Sequence, residues 1–397
     1  MNKPIIELAG VRTLFSASEE RVERWRELHR TAKTLASVKK RSFSALALAM
    51  ALLGAGTAAQ AQAPAEGIQV RLSGHINRAL MHVDDGVEQD SFNVDSGNSS
   101  TRFRFTAEGP AGGGLRAGIL FEAQFQSNPS GAVTFADRSI DAELQERHMD
   151  VFLTGGFGTV RLGQGDGAAN GASEVDLSGT SLAHYSSSPE IGGSFQYRTG
   201  GTLSGTSIGN SISNQDFASR YDRVLYQTPS FNGFMGEVSW GHKEDDIVEL
   251  ALRYSGKIGA LGTLAGAVGY SNIFLSEDAP VATTDDKVIG GSISWLHPSG
   301  LNLTYAHTTR DLPGRTGKFN YIKGGYKFGK HAVSVDYGMG DDQAAAGDEA
   351  KVYGVGYVFI PIPWAEIFAL YKIHSLDRPG VSLEDISFAM IGTRVKF

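Results

Sequence analysis

Residues 165–218 read GDGAANGASEVDLSGTSLAHYSSSPEIGGSFQYRTGGTLSGTSIGNSISNQDFA. The run is rich in Gly, Ser and Asn, and it interrupts a chain that otherwise alternates strand and turn. A connection much longer than about 15 residues is uncommon in a compact protein and is usually functional or disordered. This one follows the fifth strand counted from residue 62 and carries Asp166, Glu174, Asp176 and Glu190. We read it as a loop folded into the lumen of a barrel, narrowing it. The alternative is a disordered surface loop, and the flanking segments decide between them.

Those segments have a period of two. In IQVRLSGHINRALMHV (68–83), Val70, Leu72, Gly74 and Ile76 alternate with Arg71, Ser73, His75 and Asn77. After a polar stretch, 84–98, TRFRFTAEG (101–109) sets Phe103 and Phe105 against Arg102 and Arg104. LRAGILFEAQFQ (115–126) repeats the pattern, and two further strands near 146–154 and 158–164 turn at Gly155-Gly156. Eleven more follow residue 218, giving about sixteen. Strict alternation marks a strand with one apolar and one polar face. Connections alternate too: TPSFNG, GKIGAL, HPSG, FGK and IPIP are short, whereas SEDAPVATTDDK, DLPGRTG, DDQAAAGDEA and LDRPGVSLE are longer and mostly acidic. Short turns at one end, longer loops at the other and about ten residues per strand fit a transmembrane antiparallel β-barrel. Tyr226, Trp240, Tyr254, Trp295, Tyr326, Tyr357 and Trp364 lie toward strand ends, where aromatic girdles form. A soluble β-sandwich or propeller explains the alternation but not the long strands or the loop asymmetry. No apolar run after residue 63 approaches the length of a membrane helix.

The first residues are read apart from the fold. Lys39-Lys40-Arg41 followed by SFSALALAMALLGAGTAAQAQA has the basic, apolar and small-residue regions of a secretory signal peptide. Cleavage is expected after Ala61, leaving Gln62 first, so that 1–61 is an extension plus leader and 62–397 the barrel. Residues 1–37 make an unusually long n-region; either they are an extended leader or translation starts internally near Val38. Removing the ten Lys/Arg and five Asp/Glu of 1–61 from the chain's 36 and 43 leaves 26 and 38, a net charge of −12. An acidic exported chain is a poor nucleic-acid binder. With no Cys, neither a disulfide scaffold nor a thiolate metal site is available.

The chain ends ISFAMIGTRVKF, with Ile391, Thr393, Val395 and Phe397 on one face. That ending resembles the C-terminal signal read by outer-membrane assembly machinery, with Phe397 as its last residue. SGHINRAL (73–80), STRFRFTAEGP (100–110), GGFGTVRLGQGD (155–166) and YDRVLYQTPSFNGF (221–234) resemble the first, second, fifth and sixth strands of the Gram-negative trimeric porins. The resemblance covers roughly 68–397. It implies a sixteen-stranded barrel in the outer membrane, a homotrimer, lipid and lipopolysaccharide as surroundings, and an inward loop after strand five, here 165–218. Acids on that loop would face bases on the wall. The loop acids would be Asp166, Glu174, Asp176 and Glu190, and the wall bases His75, Arg102, Arg104, Arg161, Arg220 and Arg223. Gln164 stands where many members carry Arg, and the loop is longer and richer in Gly and Ser than usual. Small residues Gly74, Ala117 and Gly118 on the early strands would suit subunit packing.

Opposed charges across a water-filled gap create a transverse field, and charge rings bias ion selectivity. The net acidity predicts a weak cation preference. The function read from these features is passive diffusion of small hydrophilic solutes. The alternatives are a channel selective for one nutrient class and a barrel plugged by its own loop for surface binding. Chemistry finds little support. GTSIG (205–209) matches G-x-S-x-G around Ser207, but it lacks the strand and helix that hold a nucleophile in a strained turn. No cofactor or metal site is expected. The Asp84-Asp85, Asp245-Asp246, Asp285-Asp286 and Asp341-Asp342 pairs could hold divalent cations bridging to lipopolysaccharide, although solvated turn residues are the simpler reading.

Overall fold

A computed structural model describes residues 67–274 and 286–397. The leader, its cleavage point at Ala61–Gln62, and Asp285 lie outside the described residues. Nineteen strands are present among the described residues. The first six are β1 (Gln69–Asp84), β2 (Gln89–Asp95), β3 (Arg102–Gly112), β4 (Leu115–Gln126), β5 (Glu143–Gly155) and β6 (Gly158–Asp166). A two-stranded hairpin, β7 (Gln196–Thr199) and β8 (Thr202–Ser207), lies within the long loop. The sheet resumes with β9 (Arg220–Gln227), β10 (Phe234–His242), β11 (Asp246–Lys257), β12 (Thr263–Phe274) and β13 (Asp286–Leu296). It ends with β14 (Leu301–Leu312), β15 (Arg315–Phe328), β16 (His331–Asp341), β17 (Glu349–Ile362), β18 (Ala365–Asp377) and β19 (Ile386–Lys396).

Every neighbouring pair is antiparallel, and β1 pairs with β19 over His75–Asp84, closing the sheet into a barrel. The other edge of β1 pairs with β3 through Gln69–His75 and with β2 through Arg78–Asp84. β2 and β3 are thus one barrel strand broken at 96–101, and seventeen strands in the sheet make sixteen staves. The polar stretch 84–98, read as a loop, is corrected accordingly: Asp85–Glu88 form the turn and Gln89–Asp95 re-enter the sheet as β2. DLPGRTG is also a tight turn, because β14 and β15 pair out to Leu312 and Arg315. Phe397 closes the last rung; its N–H and carbonyl exchange 2.9 Å hydrogen bonds with Gly74.

The outer face is apolar. Val70, Leu72, Ile76, Leu80, Ile119, Val151, Leu162, Leu250, Val268, Ile293 and Ile391 are exposed, as a lipid-facing surface requires. Among the described residues no helix is long and apolar enough to cross a membrane; strands do the crossing. Inside, the wall has two halves. On β15–β19, β1 and β2 the inward side chains are largely apolar: Met81, Val83, Phe92, Phe319, Val352, Phe368, Phe388 and Met390. They pack with Leu182, Ile191, Phe195, Tyr197, Ile208 and Ile212 of the long loop into one buried cluster. On β3–β6 and β9–β11 the inward side chains include most of the barrel's arginines. The body of the loop covers the first half, while its two ends are tied to β10 and β11 of the second. Gly118 is corrected here: it turns inward, where a Cβ would meet the Phe152 ring.

Candidate functional site

The loop is stapled to the inner wall along its length. Ala168 N–H donates to Ser239 Oγ (2.8 Å) and Ala169 N–H to Glu249 Oε2 (3.1 Å). Val175 and Leu177 N–H reach Ser292 and Ser294 on β13 at 2.8 and 2.9 Å. Thr180 bonds Ser334 on β16, and the His184 ring lies 2.8 Å from the Val355 carbonyl. The return leg is tied through Asn214, whose carbonyl accepts from Thr308 (2.9 Å), and through Ala218 N–H, which donates to Glu249 Oε1 (2.9 Å). One register row across the wall runs Lys323, Asp336, Gly354, Lys372. The His184 ring occupies the space that a Cβ on Gly354 would fill. Lys323 Nζ, wholly buried, reaches Asp176 Oδ2 at 2.8 Å.

The remaining opening is a cavity of about 660 Å³. Glu174, Glu190 and Asp216 line it from the loop, and Arg102, Arg147, Arg220 and Lys243 from the wall, with Glu146 at its edge. The broken second strand adds its own lip: Gly97, Asn98 and Ser100 project into the same cavity, and Asn98 Nδ2 donates to Ala183 O (2.7 Å). Arg102, Arg104 and Arg147 share Glu122 beneath them, with Arg147 Nε on Glu122 Oε1 at 2.7 Å. Next to this, Arg104, Arg161, Arg223, Arg253, His148, Asp150, Asp166 and Glu237 line a further cavity of about 440 Å³.

Three acids crowd the loop side. Burial first, and Asp216 second, push the Glu174 carboxyl up to about 8, even though Asn214 Nδ2 donates to it at 2.8 Å. Burial also raises Asp216 and Glu190. Below about pH 8 the loop side is therefore partly neutral, while the guanidinium groups opposite keep their charge.

A family model described as Gram-negative porin matches residues 45–359. The chain belongs to the Gram-negative porin family. Solved porins share the fold at low identity. The anion-selective porin of Comamonas acidovorans is 18% identical, covering 83% of this chain and 100% of its own, at TM-score 0.60. OmpF of Salmonella typhi, in complex with daunomycin, is 14% identical over 83% and 98%, at TM-score 0.57. OmpT of Vibrio cholerae in its trimer form is 15% identical over 84% and 100%, at TM-score 0.51. A search of curated sequences returns no match. This porin therefore lies in the outer membrane and forms a water-filled channel for passive diffusion.

Of the residues singled out from the porin's sequence, Glu174, Glu190, Arg102 and Arg220 meet at the eyelet. Asp166 sits at the end of β6, paired with Arg220 (2.8 Å) and His148 (3.5 Å), and lines the second cavity. Asp176 is an anchor to Lys323 and does not line the opening. Arg104 is turned to Glu122, and Arg161 and Arg223 share Asp150. His75 lies under the broken strand, its Nε2 2.9 Å from Ser100 O. Arg147, Lys243 and Asp216 were not singled out. Ser207 caps a helical turn, accepting from Asn210 N–H, and among the described residues no group of three His, Cys, Asp or Glu could hold a metal ion.

Proposed function

We propose that this porin passes small hydrophilic solutes through an eyelet that leans toward anions at neutral pH and loses that lean as pH rises through about 8. The observation that carries this is the eyelet's charge set. Four basic groups on the wall, with Glu146 among them at the edge, face three loop acids, one of which, Glu174, is largely protonated at pH 7. The local set outweighs the chain's overall acidity because charges farther off than about 8–10 Å are screened by salt. A porin of the same fold from Comamonas acidovorans is itself described as anion-selective. Reversal potentials in a KCl gradient test the reading: chloride preference at pH 7 is expected, and cation preference there would reject it.

The porin also acts as a homotrimer in this reading. On β1, Arg78 turns to the outer face, its guanidinium on Ser127 O (2.8 Å) and Asn93 Oδ1 (2.6 Å). A charged group is costly against lipid and is tolerated where protein covers it. OmpT, of the same fold, is described in a trimer form. Current steps in threes from native outer-membrane extracts would support this; uniform single steps from particles of monomer mass would refute it.

A further inference from the structure

The constriction loop leaves the wall at Asp166 on β6 and returns at Arg220 on the neighbouring β9. Glu249 lies two strands further round, on β11, wholly buried, yet its carboxylate reaches both legs. Oε2 accepts Ala169 N–H at 3.1 Å on the outgoing leg, and Oε1 accepts Ala218 N–H at 2.9 Å on the return. Ser239 binds the outgoing leg alone, through Ala168 N–H; Arg253 binds the same leg through the carbonyls of Ala168 and Asn170. Lys243 holds the return leg through the Ala218 carbonyl at 2.7 Å. We infer that Glu249 is the positioning residue that ties the two roots of the constriction loop together and so fixes the eyelet's width.

The inference rests on the channel function and adds a stabilising device to it. A carboxylate can accept from both legs at once because both of its oxygens are acceptors. The neutral acid and the amide each keep one plain acceptor oxygen, so either form leaves one leg's N–H facing a donor. An unmatched buried donor is disfavoured, and the leg that loses its partner moves. Gly167 provides a second handle. It carries no positive φ, but a Cβ there would fall on Glu249 Oε2. The ionisable groups around Glu249 are Asp216 of the loop, Tyr221, Arg220 and Arg223 of β9, Lys243 after β10, and Arg253 of its own strand. Asp216 also joins the legs from within the loop, its carboxylate accepting from Gly171 N–H (2.9 Å) and Ser173 Oγ (2.8 Å), and Gly167 N–H donates to the Ser219 carbonyl (2.9 Å); Glu249 is the group of the rigid wall that reaches both.

The test is single-channel recording of the full-length protein from outer membranes, comparing wild type, Glu249→Gln and Gly167→Ala from pH 4 to 8. At pH 8 each variant should show several-fold more open-channel current noise than wild type, with brief substates. As pH falls, wild-type noise should rise to meet that of Glu249→Gln, while Glu249→Gln stays flat. Comparing the two cancels the response of the other lumen acids. Variants as quiet as wild type at pH 8, or pH profiles that run parallel, would overturn the inference. If Glu249→Gln yields no folded barrel, Gly167→Ala, which deletes no wall side chain but pushes the Glu249 carboxylate off its seat, decides alone.

Discussion

Replacing Glu174 with Gln should abolish most of the pH dependence of ion selectivity between pH 6 and 9. The sign follows from the raised carboxyl. With its pKa at about 8, Glu174 is about one-tenth ionised at pH 7 and about nine-tenths at pH 9. Raising pH through this window therefore adds most of one negative charge to the loop side of the eyelet, while Arg102, Arg147 and Arg220 remain cationic. An ion passing about 6 Å from that carboxylate through water interacts with it by about 0.7 kcal/mol, and by about 0.4 kcal/mol once 0.1 M salt screens it. The charge helps a cation as much as it hinders an anion, so their difference moves by about 0.8 kcal/mol, or roughly fourfold in the permeability ratio.

The assay is the reversal potential across a tenfold KCl gradient at pH 6, 7, 8 and 9, for wild type and Glu174→Gln. Wild type should move toward cations, with its midpoint near pH 8, by tens of millivolts. Glu174→Gln should stay near the wild-type pH 6 value, apart from smaller drifts from Asp216 and Glu190. A wild type already shifted toward cations and flat from pH 6 to 9 would show that water in the eyelet keeps Glu174 at its ordinary value. An unchanged titration in Glu174→Gln would refute the assignment to this residue.

Deleting Ser178–Asn214 should enlarge each conductance step severalfold while the barrel still folds. Leu177 and Gln215 lie against adjacent strands, on Ser294 of β13 and Thr308 of β14, four residues apart in register, so a short Gly/Ser linker rejoins the cut ends; steps of unchanged size would mean that the loop does not set the resistance. Lys323→Met strands buried Asp176 without its partner, at a cost of about 3–5 kcal/mol in loop anchoring. Amide exchange in 176–184 should quicken, whereas the double change with Asp176→Leu should restore much of the protection; equal exchange in all three proteins contradicts the anchor. Removing Phe397 loses two backbone hydrogen bonds to Gly74 and should lower the yield of heat-modifiable barrel at the outer membrane; an undiminished yield would take the last rung out of the account.

The barrel was legible because lipid on one side and water on the other impose the same period of two on nearly every strand. Parity correctly aimed Arg102, Arg104 and Arg161 inward. It failed where the backbone breaks step. The register of β4 against β5 shifts at Glu122/Ala123, and this bulge turns Arg147 inward together with its sequence neighbour His148. Simple alternation allows only one of the two, so a main eyelet arginine was invisible. Lys243 lies just past β10, in a stretch that reads as an acidic turn. The loop acids were visible as residue types, but Asp176 and Glu174 sit two residues apart and take opposite roles. One meets a buried lysine on β15 and the other lines the eyelet beside Asp216, and that division depends on the loop's three-dimensional course.

Period two also cannot distinguish what covers an inward face. Met81, Val83, Phe368 and Phe388 look out of place in a pore, and Ser239, Ser292, Ser294, Thr308 and Ser334 look like ordinary pore polarity. The structure reverses both impressions. The apolar residues receive the loop's few large side chains, and the hydroxyls receive its backbone, except Ser334, which accepts from the Thr180 hydroxyl. This answers the entropic objection to the loop itself. Glycine loses more freedom on ordering than any other residue, so a Gly- and Ser-rich segment has little tendency to hold one shape unaided. Here the acceptors are fixed in advance on a rigid sheet, and the wall carries the order that the loop sequence lacks. The disordered-loop reading judged the loop by its own composition. The complementary half of the interaction was written elsewhere, at every second residue of β10 to β19 and on into β1 and β2.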